Sequence, residues 1–215
     1  MRLLSELTLL VENLLSSAVE NTNVSDLIFD GIVSSHRAIL PYVPNIKETV
    51  ISGSDGRVFT LPDDVYFVES VYDLSTTSIL DKARLTPGSR WGSSTSSETL
   101  WMNIPNGYIS LNRALSPISY DLGIIYSALW EAPASAADTT FVITVPEYAI
   151  FGMALFATSY VLAVISTDTS MLRQYNTRID SGNPIDNPLQ NSSEFIKRRF
   201  IEEMSRMPAT VRVSG

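Results

Sequence analysis

Residues able to do chemistry are few in this chain, and their spacing rarely brings them together. His36 is the sole histidine. A nucleophile–base pair would need a positioned serine and an orienting acid, and its neighbours Ser34, Ser35 and Arg37 are adjacent in sequence. Adjacent helical residues do not face one another, so His36 reads as a surface or helix-contact residue. Asp26 and Asp30 lie four apart on one helix face, a geometry that holds a cation only if further ligands join it. Asp63-Asp64 follows Pro62 at a turn, where Asp commonly bonds its own backbone. Glu69 and Glu131 have the type, but not the motif, of glycosidase carboxylates. Gly53-Ser54-Asp55-Gly56 lacks the Lys-Ser/Thr and the helix of a phosphate loop. The dense basic run is Lys197-Arg198-Arg199, extended by Arg206 and Arg212. It reads either as a solvated face balanced by Glu202 and Glu203 or as a patch for an acidic partner, since arginine is favoured at interfaces.

Composition narrows the classes. There is no cysteine, so a disulfide framework and a Cys-ligated zinc site are both impossible within the chain. A single histidine excludes a His-cluster metal site, and neither cofactor nor metal is expected. With 23 acidic against 15 basic residues, the formal charge is −8, and the pI is near 4.6. That balance argues against a protein whose main task is to neutralise nucleic-acid phosphates. At 215 residues and 45 % hydrophobic, the chain can bury a sizeable core. Met1 to Leu15 carries Glu6 and Glu12 among its apolar residues and does not read as a signal peptide.

These groups need positioning elements, and the periodicity supplies them. Leu3, Leu4, Leu7, Val11, Leu14, Leu15 and Ala18 form a helical stripe. Asn21-Thr22-Asn23 breaks it. Ser25 is the expected N-cap of a second helix, with Asp26 in its first turn and Leu27, Ile28, Ile32, Ala38 and Ile39 on one face, ended by Pro41 and Pro44. From about Thr49 to Thr144 the period becomes two. Glu48–Ile51 and Arg57–Leu61 are expected to form a hairpin, as are Leu100–Ile104 and Tyr108–Asn112 across Asn106-Gly107. Val65–Tyr72, Tyr120–Trp130 and Phe141–Thr144 are further strands. Trp91, Trp101 and Trp130, with Tyr66, Tyr108, Tyr120 and Tyr126, concentrate here, either as a sugar-stacking platform or as the filling of a small β core.

Tyr148 to Ile165 is uncharged and mostly apolar, close to the length that spans a bilayer. Pro146 and Glu147 open it as a first helical turn. Thr158 and Ser159 in its middle, the small Gly152, Ala154, Ala157 and Ala163, and the absence of flanking Lys/Arg favour a buried helix with no membrane role. Gly182-Asn183-Pro184 and Asn187-Pro188 form an elbow. Ser192 or Ser193 is expected to cap a last helix, with Phe195, Ile196, Phe200, Ile201 and Met204 on one side. The expected fold is α+β: a helical bundle with an inserted antiparallel β-sheet or sandwich. Its parts are a helical core at 1–47 and 145–207, a β insertion at 48–144 and an extended tail at 208–215.

The order of these elements resembles head–tail connector (adaptor) proteins of tailed bacteriophages. The resemblance rests on Phe59-Thr60-Leu61-Pro62-Asp63-Asp64 leading into a strand, on Tyr126 to Trp130 with Pro133 after it, and on Pro146-Glu147-Tyr148-Ala149 opening a small-residue helix. Gly182-Asn183-Pro184, Asn187-Pro188-Leu189 and the Glu194–Met204 helix complete it, over roughly Met1 to Met204. The resemblance implies a structural virion protein without catalysis. Copies, twelve by analogy, would ring the portal protein and extend the channel through which genomic DNA passes without sequence-specific contact, offering a surface to a tail or stopper protein. Arg198, Arg199 and Arg206 are then the candidates to meet a partner's acidic groups. Val211-Arg212-Val213 would add a strand across a subunit boundary. A stopper or tail-terminator protein, and in a different class a carbohydrate-binding β module, are the competing readings.

Overall fold

The computed structural model describes residues 2–15, 24–53, 56–74, 76–83, 99–104, 107–112, 121–167 and 188–207. The chain divides into two compact units, one built from 1–44 and 130–215, the other from 45–129.

The described residues of the first unit hold four helices, α1 (Leu4–Leu15), α2 (Ser25–Ala38), α3 (Glu147–Thr167) and α4 (Pro188–Ser205). A two-stranded antiparallel ribbon accompanies them, β1 (Arg2–Leu3) on β9 (Val142–Ile143). α3 is its centre, packing against α1, α2 and α4. Its buried positions run around the whole helix, from Ala149 through Met153, Ala157 and Val161 to Ile165. Thr158 can be buried because its hydroxyl donates to the Ala154 carbonyl at 2.8 Å, and Ser159 does the same to Phe156 at 2.8 Å. By length and composition α3 could cross a membrane, yet 72 % of its most apolar window is buried within the chain, as in a core helix. Leu4, Leu7, Val11 and Leu15 of α1 are buried as the stripe requires, whereas Leu3 is exposed in β1.

α2 begins at Ser25 itself; Val24 occupies the cap position, with no side-chain cap bond. α4 starts at Pro188, four residues before the serine expected to cap it, because proline's fixed φ suits a first helical position. Ser193 instead donates to the Ser159 carbonyl at 2.8 Å and ties α4 to α3. Phe200 sits edge-on to Phe156 with ring centroids 5.4 Å apart, and a Cβ on Gly152 would run into the Met204 sulfur. The pairs 193–159, 200–156 and 204–152 make α4 antiparallel to α3.

The described residues of the second unit form one seven-stranded sheet. Its strands are β2 (Asn45–Ser52), β3 (Val58–Thr60), β4 (Val65–Asp73), β5 (Ser78–Lys82), β6 (Leu100–Ile104), β7 (Tyr108–Leu111) and β8 (Asp121–Ala128). The order β2-β8-β4-β5-β6-β7-β3 curls until its first and last strands approach each other. This overturns the α+β expectation of a helical bundle with an inserted antiparallel sheet or sandwich. The described residues form a mixed α/β structure with a large, nearly closed sheet. The physical reason is that the sheet closes around its own core of Phe59, Val68, Val71, Trp101, Ile109, Leu122, Ile124 and Tyr126. A curled sheet buries one face against itself, as two sheets of a sandwich would. It is also not wholly antiparallel, since β5 and β6 pair in parallel.

β2 and β3 do not form the expected hairpin. β2 pairs with β8 along its whole length and β3 with β7, so the turn between them joins the two edges of the sheet. β6 and β7 do pair antiparallel as expected, with Ile104 opposite Tyr108 and Gly107 at φ 80°. In β4, simple alternation fails. Irregularities between Val65 and Phe67 and between Val68 and Ser70 shift the register, turning Val68 and Val71 inward and leaving Phe67 exposed.

Candidate interaction surfaces

In the second unit, the polar groups that looked able to do chemistry are used to fasten strands. Lys47 Nζ on β2 lies 2.6 Å from Asp64 Oδ2 at the foot of β4, and the Tyr126 hydroxyl of β8 donates to Asp64 Oδ1 at 3.3 Å. The Asp64 carbonyl accepts from the Leu129 amide at 2.7 Å. The Lys47 hydrogen bond, foremost, holds the Asp64 carboxyl below its ordinary pKa. Burial and then the nearby Asp64 charge push the Tyr126 phenol up. On the sheet's outer face the Tyr72 hydroxyl donates to Glu48, which raises its pKa, and the Tyr72 ring lies over Gly123 directly across from it. Glu69 accepts from Ser127 at 3.1 Å, and Ser52 donates to Asp121 at 2.5 Å. Glu131 is exposed. No trio of His, Asp or Glu suited to a metal occurs among the described residues, and Asp26 and Asp30 are exposed.

The aromatic residues divide sharply. Trp101 is only 2 % exposed and its indole N–H donates to the Leu80 carbonyl at 2.9 Å, so it is core and no sugar platform. Trp130 lies past the end of β8 and donates to the Val43 carbonyl at 2.9 Å. Trp91 and Tyr120 lie outside the described residues. Tyr66, Phe67 and Tyr108, in contrast, are exposed and line an open groove of about 520 Å³ with Asp63 and Asn103.

In the first unit His36 is 2 % exposed and its Nδ1–H donates to the Ile32 carbonyl at 2.9 Å, while its Nε2 is buried with no partner among the described residues. Burial pulls its pKa below the ordinary imidazole value. It is therefore a neutral core residue. The bond to Ile32 is made by a neutral ring carrying its proton on Nδ1, which leaves Nε2 as a buried acceptor.

Of the basic candidates, Arg198 and Arg199 lie on the outward side of α4 and Arg206 directly follows its end. Arg198 is exposed; Arg199 places its guanidinium 5.6 Å from the centre of the Phe151 ring; Arg206 pairs with Glu203 at 3.6 Å. Val211, Arg212 and Val213 lie outside the described residues. The sequence assigned Phe195 and Ile201 to the apolar side of this helix, but Phe195 is 67 % and Ile201 45 % exposed. Leu189, Ser193, Phe200 and Met204 take the buried positions instead, because the seat on α3 accepts only this narrower stripe. The surface feature missed by periodicity is thus an exposed phenyl ring one helical turn from Arg198. No protein-family model matches the chain, and no curated protein shows significant similarity to it.

Proposed function

We propose that this chain is a structural connector of a tailed-phage virion, ringing the portal protein in about twelve copies and presenting a surface to the tail or to a stopper protein. The observation that carries the reading is the outward face of α4, where Phe195 and Ile201 stand exposed beside Arg198. Aromatic and arginine side chains anchor protein interfaces, and a solvated helix face has no need of a bare phenyl ring. The resemblance in element order noted above supports the reading, and the acidic balance suits a channel wall past which DNA slides. The role involves no catalytic step or cofactor, and places the protein at the head–tail interface after synthesis in the host cytoplasm. Mass photometry of the purified chain mixed with a portal ring tests it. One large species near one copy per portal subunit is expected, and Phe195→Glu with Arg198→Glu should abolish it. A chain indifferent to portal would sink the proposal.

A second reading, a carbohydrate-binding β module, is favoured by the Tyr66–Tyr108 groove, whose aromatic faces and free polar rim suit a saccharide. Binding on a glycan array, lost in Tyr66→Ala and Tyr108→Ala but retained in Phe195→Glu, would select it over the connector.

A further inference from the structure

A groove of about 570 Å³ opens in the first unit between α1 and the start of α3. Its apolar lining is Leu9, Leu10, Ile150 and Phe151, and Leu9 is 57 % exposed there. Glu6 and Glu147 line it against one cation, Arg2, which pairs with Glu147 at 3.6 Å. The groove therefore carries an apolar floor and one surplus negative charge. We propose that in the free chain this groove seats the segment Val211-Arg212-Val213 of the same molecule.

Four considerations converge on that occupant. The antiparallel register brings Met204 onto Gly152, so α4 delivers the chain at Met207 beside the very turn of α3 that contributes Ile150 and Phe151. Phe151 joins the two places directly, lining the groove while the Arg199 guanidinium lies over its ring. From Met207 to Arg212 is five residues, about 17 Å when extended, which exceeds the roughly 10 Å width of a helix. The segment can therefore pass over α3 and reach α1. Its chemistry is the complement of the groove: two valines for the apolar floor and one guanidinium for the surplus carboxylate. The segment that would reach across a subunit boundary is on this view held against its own chain until a partner competes for it. The inference concerns the isolated chain and does not depend on the connector reading.

Because the protein has no cysteine, two introduced thiols report on it cleanly. Asn13→Cys, on the groove rim, is combined with Ser214→Cys in the full chain. The control pairs Ser214→Cys with Lys197→Cys, ten residues up α4 from Met207 and about 15 Å away by helical rise, and outside the lining of this groove. In a glutathione redox buffer the groove pair should close an intramolecular disulfide with an effective concentration at least tenfold above the control. Arg212→Glu should bring it down to the control, and Arg212→Glu with Glu147→Arg should restore it. Equal closure of the two pairs, or indifference to Arg212→Glu, overturns the proposal. A cross-link that forms between copies and vanishes on dilution also overturns it. As a second measure, truncation after Met207 should shift the methyl resonances of Leu9, Leu10 and Ile150, and unchanged resonances count against the proposal. Portal binding enters none of these readouts, so failure here and failure of the connector reading are separate results.

Discussion

The two units solve burial in opposite ways. The first surrounds one helix, α3, that is apolar on nearly every side, and leaves exposed phenyl, leucyl and arginyl groups on the helices around it. The second distributes burial over seven strands that each turn one face inward. It uses much of its outer polarity in cross-strand pairs such as Lys47–Asp64, Tyr72–Glu48 and Ser127–Glu69. The difference teaches where function is to be sought. A charged side chain already fastened to the next strand is held by structure. An exposed aromatic beside an unfastened arginine is available to a partner.

The comparison breaks most readily at the cores. Trp101→Ala, which empties the centre of the curled sheet and orphans the Leu80 carbonyl, should cost about 3–5 kcal/mol. Phe195→Ala, an equally aromatic but exposed position, should change stability by less than about 0.5 kcal/mol. Urea denaturation of both variants measures the contrast, and a large loss for Phe195→Ala would mean that its ring is structural after all.

A smaller effect is expected where the strands approach closely. At Gly123 a Cβ would strike the Tyr72 ring, so Gly123→Ala should cost about 1–3 kcal/mol. The ring must swing aside and the Tyr72–Glu48 bond with it. In a Tyr72→Ala background the same substitution should be nearly neutral, a double-mutant cycle that isolates the contact.

His36 gives the first unit a pH dependence of its own. Its folded pKa lies below its unfolded value, so as pH falls below about 6.5 the unfolded chain takes up a proton that the folded chain resists. Stability should decline on acidification from that point, and His36→Leu should remove this part of the slope in denaturation curves recorded between pH 7 and 5.

The Lys47–Asp64 pair should matter least. Both side chains are more than a third exposed, so Lys47→Met should cost about 0.2–1 kcal/mol and less at high salt. Asp64 has the same sign as His36 in a lower pH window: its depressed folded pKa contributes stability above about pH 4, lost as pH falls through the folded value. A Lys47→Met variant with an unchanged acid limb would show that the pair is ornamental.

Sequence by itself determined the elements whose signal is local. The α1 stripe, α2, the apolar α3, the pairing of β6 with β7 and the central strand β8 are legible because periodicity and turn chemistry act within a few residues. The start of α4 at Pro188 was misplaced because a serine further on offered an equally local signal, and that serine is spent on Ser159. Only the tertiary structure decided the rest. That β2 pairs with β8 rather than β3, that bulges turn Val68 and Val71 inward, and that one sheet curls where a sandwich was expected all depend on contacts between residues far apart in sequence. The same holds for function. Nothing in residue type separates the buried Trp101 from the exposed Tyr66, or the fastened Asp64 from its neighbour Asp63. Nor does it show that Phe195 faces outward, because exposure is a property of what packs against a side chain and not of the side chain.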